Sequence, residues 1–152
     1  MDALYRKWLT QPDHYLLSLG RDPYPQLLKQ IADPPEILFA KGNLALLQQP
    51  AIAMVGSRKP SLSGLRQARS FAQQFAALGW TIVSGLAIGI DAACHQGALD
   101  VGGSTVAVLG CGCDINYPAT NSALAREIRE TGLVLSEYPP GTPPLPGNFP
   151  KR

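Results

Sequence analysis

The sequence predicts an α/β fold of Rossmann-like type, a parallel sheet with helices on both faces, preceded by a short helical N-terminal segment. Three observations carry this. Apolar residues make up 45% of the 152-residue chain and charged residues 16%, a balance that excludes disorder and suits strands buried on both faces. From residue 51 onward, short apolar runs alternate with longer stretches of helical period. Each run gives way to glycine or serine, at the strand ends where open α/β sheets hold their ligands.

The elements follow in order. Residues 1–20 mix Leu4, Trp8, Leu9, Leu16 and Leu17 with polar positions around a break at Gln11-Pro12, and predict one or two short helices. Residues 21–50 contain Pro23, Pro25, Pro34, Pro35 and Gly42, so they predict a packed connector with brief helical turns. Residues 51–152 form the Rossmann-like unit. Its first strand is the apolar run 52–56, and a helix follows, capped by Ser61 or Ser63. Leu65, Ala68, Phe71, Ala72, Phe75 and Leu78 supply the apolar stripe of that helix, and Gly79 stops it. Residues 81–84 predict the second strand, 90–101 the second helix, 105–109 the third strand, 119–131 the third helix and 133–136 the fourth strand. The proline-rich stretch 139–150 predicts an extended, irregular segment.

Net charge is only +2, but it is segregated. Between residues 37 and 90 there is no Asp or Glu, while Lys41, Arg58, Lys59, Arg66 and Arg69 fall inside. Such a region suits an anionic partner, although a solvated helix face would have the same composition. Three cysteines leave one over from any paired framework. No apolar window approaches the ~18 residues of a membrane span, and the first residues lack a leader's apolar core. The expectation is a cytoplasmic protein.

The strand ends carry the candidate chemistry. Gly56-Ser57-Arg58 lies between the first strand and its helix. There, free N–H groups can receive an anion, Ser57 can donate, and Arg58 can grip a phosphate through two parallel hydrogen bonds. A tight turn with a solvated arginine is the plainer alternative. The next glycine is Gly64 and no Gly-Lys-Ser/Thr triplet occurs, so dinucleotide and nucleoside-triphosphate fingerprints are absent. The second loop, Ser84-Gly85-Leu86-Ala87-Ile88-Gly89-Ile90-Asp91, ends in an aspartate suited to capping a helix. His95 follows four residues later on the same helical face, as a structural histidine or the partner in an Asp–His pair. Cys94, His95, Cys111 and Cys113 lack the usual zinc-ligand spacing, and no metal or other cofactor is expected.

Eight segments in register resemble one family. Val55-Gly56-Ser57-Arg58, Ser84-Gly85-Leu86-Ala87 with Gly89-Ile90-Asp91, His95 with Ala98-Leu99, Val108-Leu109-Gly110, Tyr117-Pro118, Ser136-Glu137-Tyr138-Pro139 and Phe149-Pro150-Lys151-Arg152 are similar to the DNA-processing protein A (DprA/Smf) family. Tyr24-Pro25 and the stretch 34–42 fit the segment that leads into its core. The resemblance implies a protein that binds single-stranded DNA without sequence specificity, not an enzyme. It implies assistance in loading RecA recombinase during DNA uptake, natural transformation and recombination, and a homodimer in the full-length protein. Position by position, it implies DNA phosphate contacts at Gly56, Ser57, Arg58, Lys59, Ser84, Gly85, Gly89, Lys151 and Arg152. Base stacking would fall to Phe149, and ordering of the loop to Asp91 and His95.

The family's motif continues beyond Phe-Pro-x-Arg, so the chain is expected to be a fragment with weakened DNA binding, an uncovered sheet edge and little RecA loading. The rival is a nucleotide 5′-monophosphate phosphoribohydrolase of the lysine-decarboxylase-like type. It would need a Pro-Gly-Gly-x-Gly-Thr loop, and the sequence has none.

Overall fold

The alternation after residue 50 becomes four parallel strands in a computed structural model, which describes residues 2–152. They are β3 (Ala51–Ala53), β4 (Thr81–Ser84), β5 (Thr105–Leu109) and β6 (Leu133–Ser136). Two further strands, β1 (His14–Ser18) and β2 (Ile37–Gly42), add to the β6 side, giving the order β1-β2-β6-β5-β4-β3. β2 runs antiparallel to β6, with Phe39 opposite Ser136, and β1 antiparallel to β2, with His14 opposite Lys41. The Rossmann-like class therefore holds, with the sheet mixed rather than wholly parallel.

Two expectations for the first 50 residues change. Only α1 (Ala3–Leu9) is helical in the N-terminal segment. Residues 14–18 are an edge strand, whose one dry flank leaves no helical period. Residues 37–42, read as connector, are a sheet strand in which Leu38, Phe39 and Ala40 are all buried. Neighbouring prolines hide it in the sequence. The 139–150 stretch is irregular as expected until it closes in a helical turn, α5 (Asn148–Lys151).

Strand order steps one way from β6 to β3, so crossovers of a single hand fall on one face. That face carries α2 (Leu62–Ala77), α3 (Ile90–Asp100) and α4 (Ser122–Thr131). Its two cores centre on Ile82, Ala72, Cys94 and Ala98, and on Phe39, Ala107, Val134, Ile128 and Trp8. Helices cover the other face too, but as short 3₁₀ turns, Leu28–Gln30 and Leu44–Gln48, over Leu17, Tyr24, Leu38, Val106, Leu133 and Leu135.

Ser61 caps α2 by accepting the Gly64 N–H at 3.0 Å, which settles the choice between the two serines. The buried side of α2 is its alanines (Ala68, Ala72, Ala76), while Phe71 and Leu78 are exposed. The reason is close packing on α3: a Cβ at Gly97 would stand 2.4 Å from the Arg69 carbonyl oxygen. Only small side chains fit between two helices that approach this closely.

Candidate nucleic-acid interface

The carboxyl ends of β3, β4 and β5 open onto one hollow. Arg58 follows β3; Gly85, Ala87 and Ile88 follow β4; Tyr117 and Pro118 follow β5. Phe149 and Arg152, from the end of the chain, complete its wall around a volume of about 80 Å³. The Arg58 guanidinium carbon stands 5.5 Å from the centre of the Phe149 ring, and that of Arg152 stands 5.2 Å away. Tyr117 lies beside the same ring, centre to centre 5.5 Å at 34°. Two guanidinium groups and two aromatic rings thus share one concavity, the combination that grips phosphates and stacks bases.

The loop after β3 is exposed, and its donors are unspent. Among the described residues, the N–H groups of Gly56, Ser57 and Arg58 donate to no protein acceptor, and Arg58 joins no ion pair. The Ser57 hydroxyl accepts the Lys59 N–H at 3.0 Å, and its carbonyl receives the Ile90 N–H at 3.1 Å. Gly89 makes this approach possible. Its φ is +89°, and a Cβ there would meet the Ser57 carbonyl oxygen at 2.4 Å, so no other residue fits without moving the loop. Gly89 thus shapes the loop after β3 and lines the open groove beside it.

The loop after β4 is different. Ser84 is buried and its hydroxyl donates to the Met54 carbonyl at 2.6 Å, tying β4 to the end of β3. The Gly85 N–H donates to Asp91 Oδ2 at 3.1 Å, and its carbonyl accepts Arg152 Nη1 at 2.7 Å. Leu86 takes up a left-handed backbone, φ 59°, which costs about 1–2 kcal/mol for a side chain with a Cβ. It is held on both sides: its N–H donates to His95 Nε2 at 3.2 Å and its carbonyl accepts Asn121 Nδ2 at 3.0 Å. The polar groups of Ser84 and Gly85, expected to contact phosphate, are already bonded within the protein, while Gly85 lines the hollow.

Asp91 is not the cap of α3, since Gly89 occupies that position. It lies in the first turn, buried, where the helix dipole favours its charge. His95 is fully buried. The Thr105 hydroxyl donates to the Ile82 carbonyl at 2.8 Å and so receives the proton on His95 Nδ1 at 2.6 Å. Nε2 is then the acceptor for Leu86, and the ring is neutral. Burial lowers its pKa from 6.5 to about 3, so it does not shuttle protons near neutrality.

The basic residues also divide. Arg152 is half-buried; burial lowers its pKa, Asp91 opposes that shift, and Arg58 adds to it. Lys151, expected beside the hollow, turns to the far side of α5 and pairs with Glu137 at 3.3 Å. Lys59 lies just outside the hollow, in an open groove shared with Arg58, Arg66 and Arg69. Arg69 is neutralised by a two-pronged contact with Asp100. Tyr117 was not singled out as a site residue from sequence; its signal was an aromatic–proline pair in the loop after a strand end.

Among the described residues, no three His, Cys, Asp or Glu side chains gather as a metal site. Burial raises the Cys94 thiol to about 11 and raises the Cys113 thiol as well. No helix among these residues is long and apolar enough to cross a membrane.

The fold and this hollow define a Rossmann-like domain whose strand ends gather two guanidinium groups and two aromatic rings. The sequence profile of DNA recombination-mediator protein A matches residues 15–152, and the chain belongs to that family. Protein Smf of Escherichia coli is 42% identical over 146 residues, 95% of this chain and 39% of that protein. The DNA processing protein DprA of Streptococcus pneumoniae is 48% identical over 135 residues, 89% of this chain and 48% of its own length. The crystal structure of the pneumococcal protein superposes with a TM-score of 0.88 at 42% identity, covering 99% of this chain and 53% of that one. DNA processing protein A of Helicobacter pylori, solved to describe its single-stranded DNA binding mode, gives 0.80 at 31% identity, covering 90% and 60%. The chain spans about a third to a half of the length of the curated relatives it matches.

Proposed function

We propose that this chain binds single-stranded DNA without sequence specificity, through the hollow formed by Arg58, Phe149, Tyr117 and Arg152. The observation that carries the reading is Arg58: exposed, in no ion pair among the described residues, and 5.5 Å over an aromatic ring at the strand ends. A phosphate bound by Arg58 and the free N–H groups of 56–58 places the attached base toward Phe149. Stacking there is worth about 1–3 kcal/mol per base and tolerates any base. The relative from Helicobacter, described by its single-stranded DNA binding, supports the same reading.

The role is binding rather than catalysis. Among the described residues, Asp91 is the only carboxylate bonded into the loop beneath the hollow, and it is committed to Gly85; His95 is sealed from solvent. In the whole protein we assign the activity to recombination in the cytoplasm, acting as a homodimer that assists RecA loading onto the bound strand. The family's description as a recombination mediator supports the recombination role.

Fluorescence anisotropy of labelled oligo-dT tests the reading. Binding should weaken in Arg58→Ala and fall steeply with salt, since each phosphate contact releases a counterion. Affinity unchanged in Arg58→Ala, or independent of salt, would overturn it.

A further inference from the structure

A second basic concavity lies on the other flank of the 114–118 loop, distinct from the Arg58 hollow. We propose that it binds a small phosphorylated anion, of about the size of pyrophosphate, held by Lys7, Lys41 and Arg129. Its volume is about 320 Å³, at the lower end of the ~300–1,000 Å³ range of ligand pockets.

Three separate elements bring charge to it, Lys7 from α1, Lys41 from β2 and Arg129 from α4, and His14 from β1 lines the same wall. A single carboxylate, Asp114, opposes them, and its Oδ1 already accepts the Gly141 N–H at 2.8 Å. Lys7 and Lys41 join no ion pair among the described residues, whereas Arg69 and Lys151 elsewhere are each neutralised by a nearby acid. Like charges converging in a concave wall raise a local positive potential that an anion relieves.

The wall is built rather than loose. Trp8 is 3% exposed, its indole N–H donates to the Tyr15 carbonyl at 3.2 Å, and its ring meets His14 edge-on at 4.1 Å. Arg129 spends one N–H on the Cys113 carbonyl (3.1 Å), one on the Ile115 carbonyl (3.0 Å) and one on Asn116. Two of its five donors, one on each terminal nitrogen, remain, on a guanidinium that is already fixed.

The occupant is a phosphate rather than a stacked strand. Trp8 lies too deep to offer a face to a base, and the Arg58 hollow has the two partly exposed rings that this cavity lacks. The inference does not depend on the DNA reading, because no residue is shared between the two sites.

Titrating the chain with sodium pyrophosphate tests it, by calorimetry and by the NMR signal of the Trp8 indole N–H, assigned against Trp80→Phe. Saturable binding should shift the Trp8 signal, weaken about tenfold or more in Lys41→Gln as a charge-assisted contact is lost, and persist in Arg58→Ala. Thermal unfolding establishes that both variants are folded. No saturable binding, binding unaffected by Lys41→Gln, or loss in Arg58→Ala would each overturn the proposal.

Discussion

Two glycine-bearing loops stand side by side at the mouth of the sheet, and they do opposite work. The loop after β3, Gly56-Ser57-Arg58, is exposed, with three backbone donors unclaimed among the described residues and an unpaired guanidinium. The loop after β4 is buried at Ser84, Gly85 and Leu86, and each of these has its polar groups bonded to protein. From composition the two look alike. What separates them is whether the donors are already used, because an anion can be bound only by groups with hydrogen bonds left to give. On the proposed reading the first loop is the contact surface and the second its scaffold.

That division can be broken by substitutions on each side. The largest effect is expected on the scaffold. His95→Ala removes a fully buried ring, strands the Leu86 N–H and takes away the donor to the Thr105 hydroxyl, which keeps its bond to Ile82, so it should cost about 2–4 kcal/mol of stability, read by urea unfolding. The same residue sets a pH dependence. Its folded pKa, near 3, lies below the ordinary 6.5. The contribution of the neutral ring is therefore complete above about pH 6.5 and is lost as pH falls toward 3. Asp100, held down to about 2 chiefly by its hydrogen bond to Arg69, contributes stability that is complete above its ordinary 3.8 and is lost only as pH falls from there toward 2, so it adds no slope above pH 4. A stability slope between about pH 6.5 and 4 that disappears in His95→Ala would isolate the histidine.

On the contact side, Arg58→Ala should leave the unfolding midpoint in place and weaken oligo-dT binding about 10–100-fold, the loss of a charged hydrogen bond. It should also reduce the salt slope by about 0.7. Phe149→Ala should weaken binding by about tenfold with a shallower change in salt dependence, since it removes stacking rather than charge. Smallest of all, Lys151→Ala should change DNA affinity by less than about twofold, because Glu137 neutralises this lysine on the far side of α5. A strong effect of Lys151→Ala, or a destabilised Arg58→Ala, would contradict the division.

Much of the fold was legible. β5, β6, α2 and the loops between them follow from apolar runs, a serine cap and terminal glycines, since in these segments local preference and tertiary burial agree. β1 and β2 were not legible. His14–Ser18 has the burial of an edge strand, and Ile37–Gly42 becomes a strand only because β6 offers it a partner far along the chain. In the site, residue type points to Gly56, Ser57, Arg58 and Phe149, and the fold gathers Arg58 and Phe149 at one hollow on the strand ends. That Ser84, Gly85 and Lys151 already have protein partners was not legible, because sequence names a donor without telling what it already holds. Tyr117 needed the fold to bring the β5 loop beside the end of the chain.

One contact has a wider consequence. Arg152 donates to the carbonyl of Gly85, 67 positions earlier, and in doing so sets Phe149 opposite Arg58. The cleft cannot preassemble on a partly collapsed chain, because its two walls meet only after β4, β5 and β6 have found their order. A ligand bridging the two walls should in turn slow the opening of the sheet.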